Sequence, residues 1–541
     1  MRHLTTAAVL LCTILAAAAL GQPATVDAAK FIDPALPDCG IEKAIASLGA
    51  AGGTVVLPEG RFELLRSIMM PSNVTLQGQG PEKTILLSKR TNQWVKVMAA
   101  EGTKITVEKL PEGLKTGSTV FLWPNRPTTG WFGYYAPQVV TAIEGNILTV
   151  DGVKMRGIKM GGREAPWLEF GLASALTGDC LKGATELEVF DGSLFVQGQA
   201  ISVGSGDGNA NESLSFIKEI KGNTLILERA IRGDHKHADG GFWRRPAVWS
   251  LFPLITAENA KNMAVKDLGL DCPIAAEERP KLRRYTLSLI HIFNCQDSLI
   301  ENVHAKNSFT DGISVQQGKN VTVRNCVVTG CSGNGFHPGT GLMDSTFEKN
   351  VSTSNGEGLY FCWHNRRLKI LNNVLSENRG PGIGGLGNPG DHENLIEGNT
   401  IERNGGPGIA CNGGKVTNNV IRNNIIRDNS FGNPGKSPGI LIAGGGEGAK
   451  AFTIEGNTIE STLEQPTQWV GVQEQAGQDG KKVPMLADEN IIKGNKFSGH
   501  TAADVIVQGP KTIVENNGEA KVTRIDPPAM PEPAADGAKK E

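Results

Sequence analysis

The sequence predicts an all-β fold: a right-handed parallel β-helix (solenoid) with an inserted, duplicated small β module. Three observations predict it. A repeat of about 24 residues runs through the C-terminal half, short apolar–polar alternating segments fill each repeat, and two mutually similar hairpin segments lie mid-chain.

The repeat comes first. Between residues 296 and 450 an apolar pair, an Asn, a second apolar pair, a polar turn and an x-Gly-apolar-x-apolar segment recur. The Asn members are Asn302, Asn325, Asn350, Asn373, Asn399 and Asn424, separated by 23, 25, 23, 26 and 25 residues. The Gly members are Gly312, Gly335, Gly358, Gly382, Gly408 and Gly439. Such a period suits one coil of a parallel β-helix, each strand adding about 4.8 Å of rise. Helical solenoids need longer repeats with a 3.6-residue period, which is missing here. Asn at one turn of each coil reads as a side-chain amide ladder tolerant of left-handed backbone. Gly before the second strand of each coil reads as a turn with positive φ. Looser coils around Asn457 and Asn495 carry the solenoid to about residue 518.

At the other end stand Gly52-Gly53-Thr54-Val55-Val56-Leu57-Pro58-Glu59-Gly60, then Val74-Thr75-Leu76-Gln77-Gly78 and Thr84-Ile85-Leu86. This run resembles the entry coils of the pectate-lyase-like superfamily, and the later coils resemble its β-helix repeats. The resemblance covers roughly residues 31–90 and 255–518. It implies the fold rather than the reaction, because lyases, hydrolases, epimerases and phage tailspikes share such coils.

The insertion is itself repeated. Ile143-Glu144-Gly145-Asn146-Ile147-Leu148 echoes Ile220-Lys221-Gly222-Asn223-Thr224-Leu225, and residues 117–122 echo residues 198–203. Each copy reads as strands joined by a Gly-Asn hairpin, able to wall a groove. The organisation predicted is a signal peptide at 1–21, an N-terminal cap and first coils at 22–99, the insertion at 100–250, repeats at 251–518 and a disordered tail at 519–541.

The signal peptide rests on Arg2 and His3, the apolar run at residues 7–20 and small residues at Ala19 and Gly21, with cleavage before Gln22. That run is too short to span a bilayer, and no later stretch predicts a membrane span. A secreted or periplasmic protein follows as the expectation. Formal net charge is −2 with no long basic run, which argues against nucleic acid as a partner. Eight cysteines follow the leader. Their density is far below that of a disulfide scaffold, with Cys326 and Cys331 as one candidate bridge.

Chemistry is sought on the outward face. Residues two after the repeat Gly form an outward column: Ser314, His337, Tyr360, Gly384, Ala410 and Leu441, with His291 one coil before Ser314. Beside it, Trp363, His364, Arg366 and Arg367 follow Tyr360 within seven residues. A uronate lyase or C5-epimerase needs a base for the C5 proton, a cation for the carboxylate and an acid. His337, Arg366 or Arg367, and Tyr360 are those three types, with His364 a further catalytic candidate. Substrate contacts are expected from His291, Ser314, Trp363, Arg367, Glu357 and Asp311.

A glycoside hydrolase would instead need two carboxylates. Asp311 and Glu357 lie two coils apart, about 9.6 Å at the strand spacing. Each precedes a repeat Gly, where turn chemistry is the commoner reason for an acidic residue. No cofactor is required by any motif. A calcium site would need clustered acidic ligands, for which Asp267 and Asp271 are the nearest candidates, and no transition-metal site is predicted. His235-Lys236-His237-Ala238-Asp239 reads as an exposed polar loop ahead of the alternative that its His pair ligates a metal, and Trp243-Arg244-Arg245 as an element able to reach an acidic sugar. Gly335-Phe336-His337-Pro338 is similar to the Gly-Phe-Asp-Pro-His segment of alginate C5-epimerases but lacks its Asp-Pro-His order.

The expected partner is therefore a polysaccharide and the expected activity a lyase. Glycoside hydrolase and C5-epimerase stand as alternatives on the same fold. A non-catalytic carbohydrate-binding or cell-surface protein is the rival of another class.

Overall fold

The structure, a computed structural model, describes residues 24–88, 92–123, 137–151, 167–204, 213–236, 245–273, 285–445, 448–479 and 482–528. The expected leader lies outside them, as do His237, Trp243, Arg244 and residues 529–541.

Each repeat folds as three short strands separated by turns. Lys319–Arg324, Val327–Thr329 and Phe336–Gly339 make one coil, and Thr346–Glu348, Val351–Thr353 and Leu359–Tyr360 the next. Counterparts pair in parallel: Thr322 with Thr346, Val327 with Val351, Phe336 with Leu359. Alternation sets the interior, since Val323, Val328, Phe336 and Phe347 point inward and are buried with the rest of one continuous core. The last strands of successive coils stack into one twelve-stranded parallel sheet, from Ile68–Met69 to Val522–Arg524. A short helix, Ile41–Ala46, packs Ile41, Ala44 and Ile45 onto the same core at the N-terminal end. At the other end Val505 pairs with Val522, so the solenoid continues into residues read as a disordered tail. Among the described residues no helix is long and apolar enough to cross a membrane.

Two turn assignments move. The buried amide stack consists of Asn350, Asn373, Asn399, Asn424, Asn457, Asn495 and Asn517, each side chain donating Nδ2–H to the next Oδ1 at 2.9 to 3.1 Å. Asn302 and Asn325 lie one position earlier, with φ of 50° and 53°, in a column shared with Lys349, Asn372 and Asn423. Cys326 heads the inner stack, its N–H donating to Asn350 Oδ1 at 2.9 Å.

The repeat glycines are needed for closeness and not for positive φ. None of the six has φ in the left-handed range. A Cβ on Gly335 would lie 2.0 Å from Ser352 Oγ and 2.7 Å from the Gly358 carbonyl oxygen. Gly335→Ala is therefore expected to cost about 1–3 kcal/mol, as overpacking of a well-filled core does, read as a lowered urea midpoint. An unchanged midpoint would refute the packing account.

The insertion leaves after Thr84–Ser88 and returns at Ile255–Glu258, where Ile255 pairs with Ile68. Its first copy is a closed six-stranded barrel beginning at Gln93, and its second a six-stranded sheet ending at Trp249. The duplication extends to detail. Both long hairpins bulge at the same place, between Val140 and Ala142 and between Ile217 and Glu219. The Gly117 and Gly198 N–H groups donate to Val140 and Ile217 carbonyls respectively. Arg245, expected over the groove, instead pairs with Asp151 and lies on the Phe190 ring, which ties the two copies together. His235 is buried rather than exposed, exchanging backbone hydrogen bonds with Cys180. No disulfide joins any of the eight described cysteines, so Cys326 and Cys331 are unbridged.

Candidate functional site

The outward column forms in register. Thr256 pairs with His291, His291 with Ser314, Ser314 with His337, and Tyr360 with Gly384, while Phe336–Leu359 pairing sets His337 beside Tyr360. Its members are covered: His291 is 8 %, Ser314 0 % and His337 5 % exposed. Tyr285, from the turn Tyr285–Leu287, sets its ring 5.3 Å from that of His337 and 6.0 Å from that of His291. The Tyr360 ring meets His337 edge-on at 5.1 Å.

His337 is held from behind. Its Nδ1–H donates to Asp311 Oδ2 at 2.6 Å, while Asp311 Oδ1 accepts from the Asn334 N–H at 2.6 Å. Burial favours the neutral imidazole, but the Asp311 carboxylate and the nearby Cys362 thiol outweigh it, and His337 is pushed up to about 10. His291 goes the other way. Burial, with His337 adding repulsion, pushes it down to about 4 despite Glu258 and Asp311. Coils two steps apart, with Ser314 between, thus hold one charged and one neutral imidazole. Groups driven apart in this way are the usual acid and base of a site.

Glycines make the remaining room. A Cβ on Gly384 would lie 1.8 Å from Glu357 Oε2, and one on Gly385 2.7 Å from Tyr360 Cε2. The Glu357 carboxylate thus occupies the side-chain slot of Gly384, extending the column with an acid where its sequence turns small. At the opposite end the second inserted module closes over the column. Leu214 and Arg232 from the module, with Thr256, Glu258, Tyr285 and His291, line a cavity of about 460 Å³. Arg232 spans it as a two-pronged pair with Glu258.

Residues 288–459 match the family described as right handed beta helix region. The stacked parallel strands make this a right-handed parallel β-helix protein. No curated protein matches the chain. Among solved structures, the mannuronan C-5 epimerase AlgE6 A-module of Azotobacter vinelandii is 14 % identical, with 93 % of this chain and 100 % of that one covered and a TM-score of 0.45. The surface adhesin PfbA of Streptococcus pneumoniae is 12 % identical over 94 % and 96 %, with a TM-score of 0.47. An exopolygalacturonase from Thermotoga maritima is 12 % identical over 92 % and 94 %, with a TM-score of 0.44.

Not every residue expected at the site of this β-helix protein reaches the column. Arg366 and Arg367 lie on the next stretch of the coil. Arg366 is exposed and bridges to Met343 and His392, and Arg367 pairs with Asp344 at 2.6 Å and Glu393 at 3.7 Å. Arg367 is thus committed to protein carboxylates, and the cation beside the column is His337 itself. His364 is exposed and packs against Gly390, where a Cβ would lie 2.2 Å from its Nδ1. Trp363 is 49 % exposed, so it does not cover the core; its Nε1–H donates to Asn388 Oδ1 at 3.1 Å. Asp311 is 3 % exposed and bound to His337, which removes it from a hydrolase-type carboxylate pair with Glu357. Asp267 and Asp271 accept amide hydrogen bonds from Asn302 at 2.7 Å and Asn307 at 2.8 Å, and no group of three or more metal-ligating side chains occurs among the described residues. Tyr285 and Cys362 were not singled out by sequence. Tyr285 sits outside the repeat, and Cys362 lies two residues past Tyr360 in the adjoining outward column.

Proposed function

We propose that this protein acts on an acidic polysaccharide by proton transfer at the column from His291 to Tyr360, with β-elimination as its reaction. The buried Asp311–His337 pair, facing Tyr360 and Tyr285, carries the reading. A uronate carboxylate laid against the His337 imidazolium gains the charge stabilisation that acidifies the C5–H bond. The neutral imidazole of His291 and the phenol of Tyr360 are the flanking groups for taking and giving a proton. Trp363, exposed beside them, offers a face for a sugar ring. Elimination and C5 epimerisation share the first step and differ in whether the leaving oxygen departs.

The test is a panel of uronate polysaccharides. Unsaturated-product absorbance, abolished in His337→Ala, is the expected result. Exchange of the C5 hydrogen with solvent without cleavage would make the protein an epimerase, and new reducing ends without unsaturation a hydrolase. Binding without turnover, unaltered in His337→Ala, would overturn the enzymatic reading in favour of a carbohydrate-binding surface.

A further inference from the structure

Cys362 has no part in that chemistry, yet it is set apart from every other described cysteine. The other seven are buried, and Cys362 alone is partly exposed. Its N–H donates to the Pro338 carbonyl at 3.0 Å, which seats it alongside the strand that carries His337. Gly339 provides its space, because a Cβ there would lie 2.5 Å from Cys362 Cβ. The thiol thus settles beside an imidazole whose Nδ1–H already points at Asp311 and whose buried Nε2 has no oxygen or nitrogen partner. The Thr340 hydroxyl donates to Cys362 Sγ at 3.6 Å, a contact that an anionic sulfur receives better than a thiol.

We propose that Asp311, His337 and Cys362 form a relay that keeps Cys362 as a nucleophilic thiolate, a site of covalent modification by soft electrophiles, disulfides above all. Asp311 stabilises the imidazolium, and the imidazolium stabilises the thiolate. Protonation follows the same direction. Burial favours the neutral Cys362 thiol, but His337 and Thr340 overcome it and hold the thiol below its ordinary range. Burial instead pushes Cys180 up to about 11 and Cys326 and Cys411 up to about 12. The titratable groups facing Cys362 are His337, Asp311 behind it, and Asp391 from the following coil, which burial pushes up to about 8 and which opposes the thiolate once ionised.

The aromatic disulfide of thionitrobenzoate is a suitable probe. Cys362 Sγ attacks one probe sulfur, a new S–S bond forms as the probe's S–S bond breaks, and thionitrobenzoate leaves with the electron pair. The proton once on Sγ stays on His337. With the intact, full-length protein, one fast equivalent of thionitrobenzoate is expected, mapped to Cys362 by mass and absent in Cys362→Ser. His337→Gln and Asp311→Asn should each slow that equivalent about tenfold or more near neutral pH and return its rate–pH profile to that of an ordinary thiol. Should His337→Gln fail to fold, Asp311→Asn carries the same comparison. Labelling of Cys362 no faster than the buried cysteines, or an unchanged rate and pH profile in the folded variant, would overturn the relay. The readout is chemical, so it stands or falls separately from turnover of any polysaccharide.

Discussion

Asp311→Asn is expected to reduce turnover about 10²–10⁴-fold above neutral pH, the range usual for loss of a positioned acid–base group. Asn keeps the shape and can still accept from the Asn334 N–H, so the fold is preserved. What disappears is the negative charge 2.6 Å from His337 Nδ1, which holds that imidazole up near 10 against its own burial. Without it, burial prevails and His337 loses its proton at lower pH. In the wild type, activity should persist from the acid limb set by His291, near 4, to an alkaline limb near 10. In Asp311→Asn the alkaline limb should retreat to or below the ordinary histidine range.

Stability follows the same groups. The folded value of His337 lies above its ordinary 6.5, so its contribution is full below 6.5 and is lost as pH rises through about 10. The folded value of His291 lies below 6.5, so its contribution is full above 6.5 and is lost as pH falls through about 4. Denaturant midpoints across pH should show the alkaline loss shrink in Asp311→Asn while the acid loss remains. A variant with the wild-type rate profile would show that His337 takes no part as a charged group.

The column was readable because two constraints act on it at once. Side chains on a strand alternate with period 2, and the repeat Gly marks the start of each last strand wherever a Cβ would strike the coil above. Counting from that Gly absorbs variable turn lengths. The Asn column lacked such an anchor. Asn suits both the left-handed position of Asn325 and the inner amide stack of Asn350, so one letter serves two adjacent jobs. The step of 25 residues between them, against 23 before and after, is the trace of that shift.

Other parts of the site had no local signal. Glu357 reaches the slot of Gly384 from the turn before Leu359–Tyr360, a diagonal approach that no count along one column reveals. The Gly384–Gly385 pair, directly in register with and after Tyr360, was its nearest trace. Tyr285 precedes the repeat altogether. The two arginines next to Tyr360 in sequence are carried round the following turn, where Asp344 and Glu393 hold Arg367. Nearness along the chain is a poor guide in a coil that turns every few residues.

Asn399→Ala is the sharpest test of the stack that holds the column in register. Asn399 Oδ1 accepts from both the N–H and the Nδ2–H of Asn373 at 2.9 Å, and its own Nδ2–H groups reach Ile370 O at 2.8 Å and Asn424 Oδ1 at 2.9 Å. Ala leaves these partners buried and unpaired, each at about 1–3 kcal/mol, so an overall loss of about 3–6 kcal/mol is expected. Asn372→Ala is the control one residue away in kind. That side chain is exposed and its backbone has φ of 54°, so the change forfeits only the tolerance of Asn for left-handed backbone, about 1 kcal/mol. Because coils couple mainly to their neighbours, amide exchange in Asn399→Ala should rise first in the coils that contain Asn373 and Asn424. Those coils carry Gly384 and Leu441 on the outward face, so the first loosening should reach the seat of Glu357 and Tyr360 before His291. Equal losses in the two variants would mean that the buried amides are not what holds the coils in register.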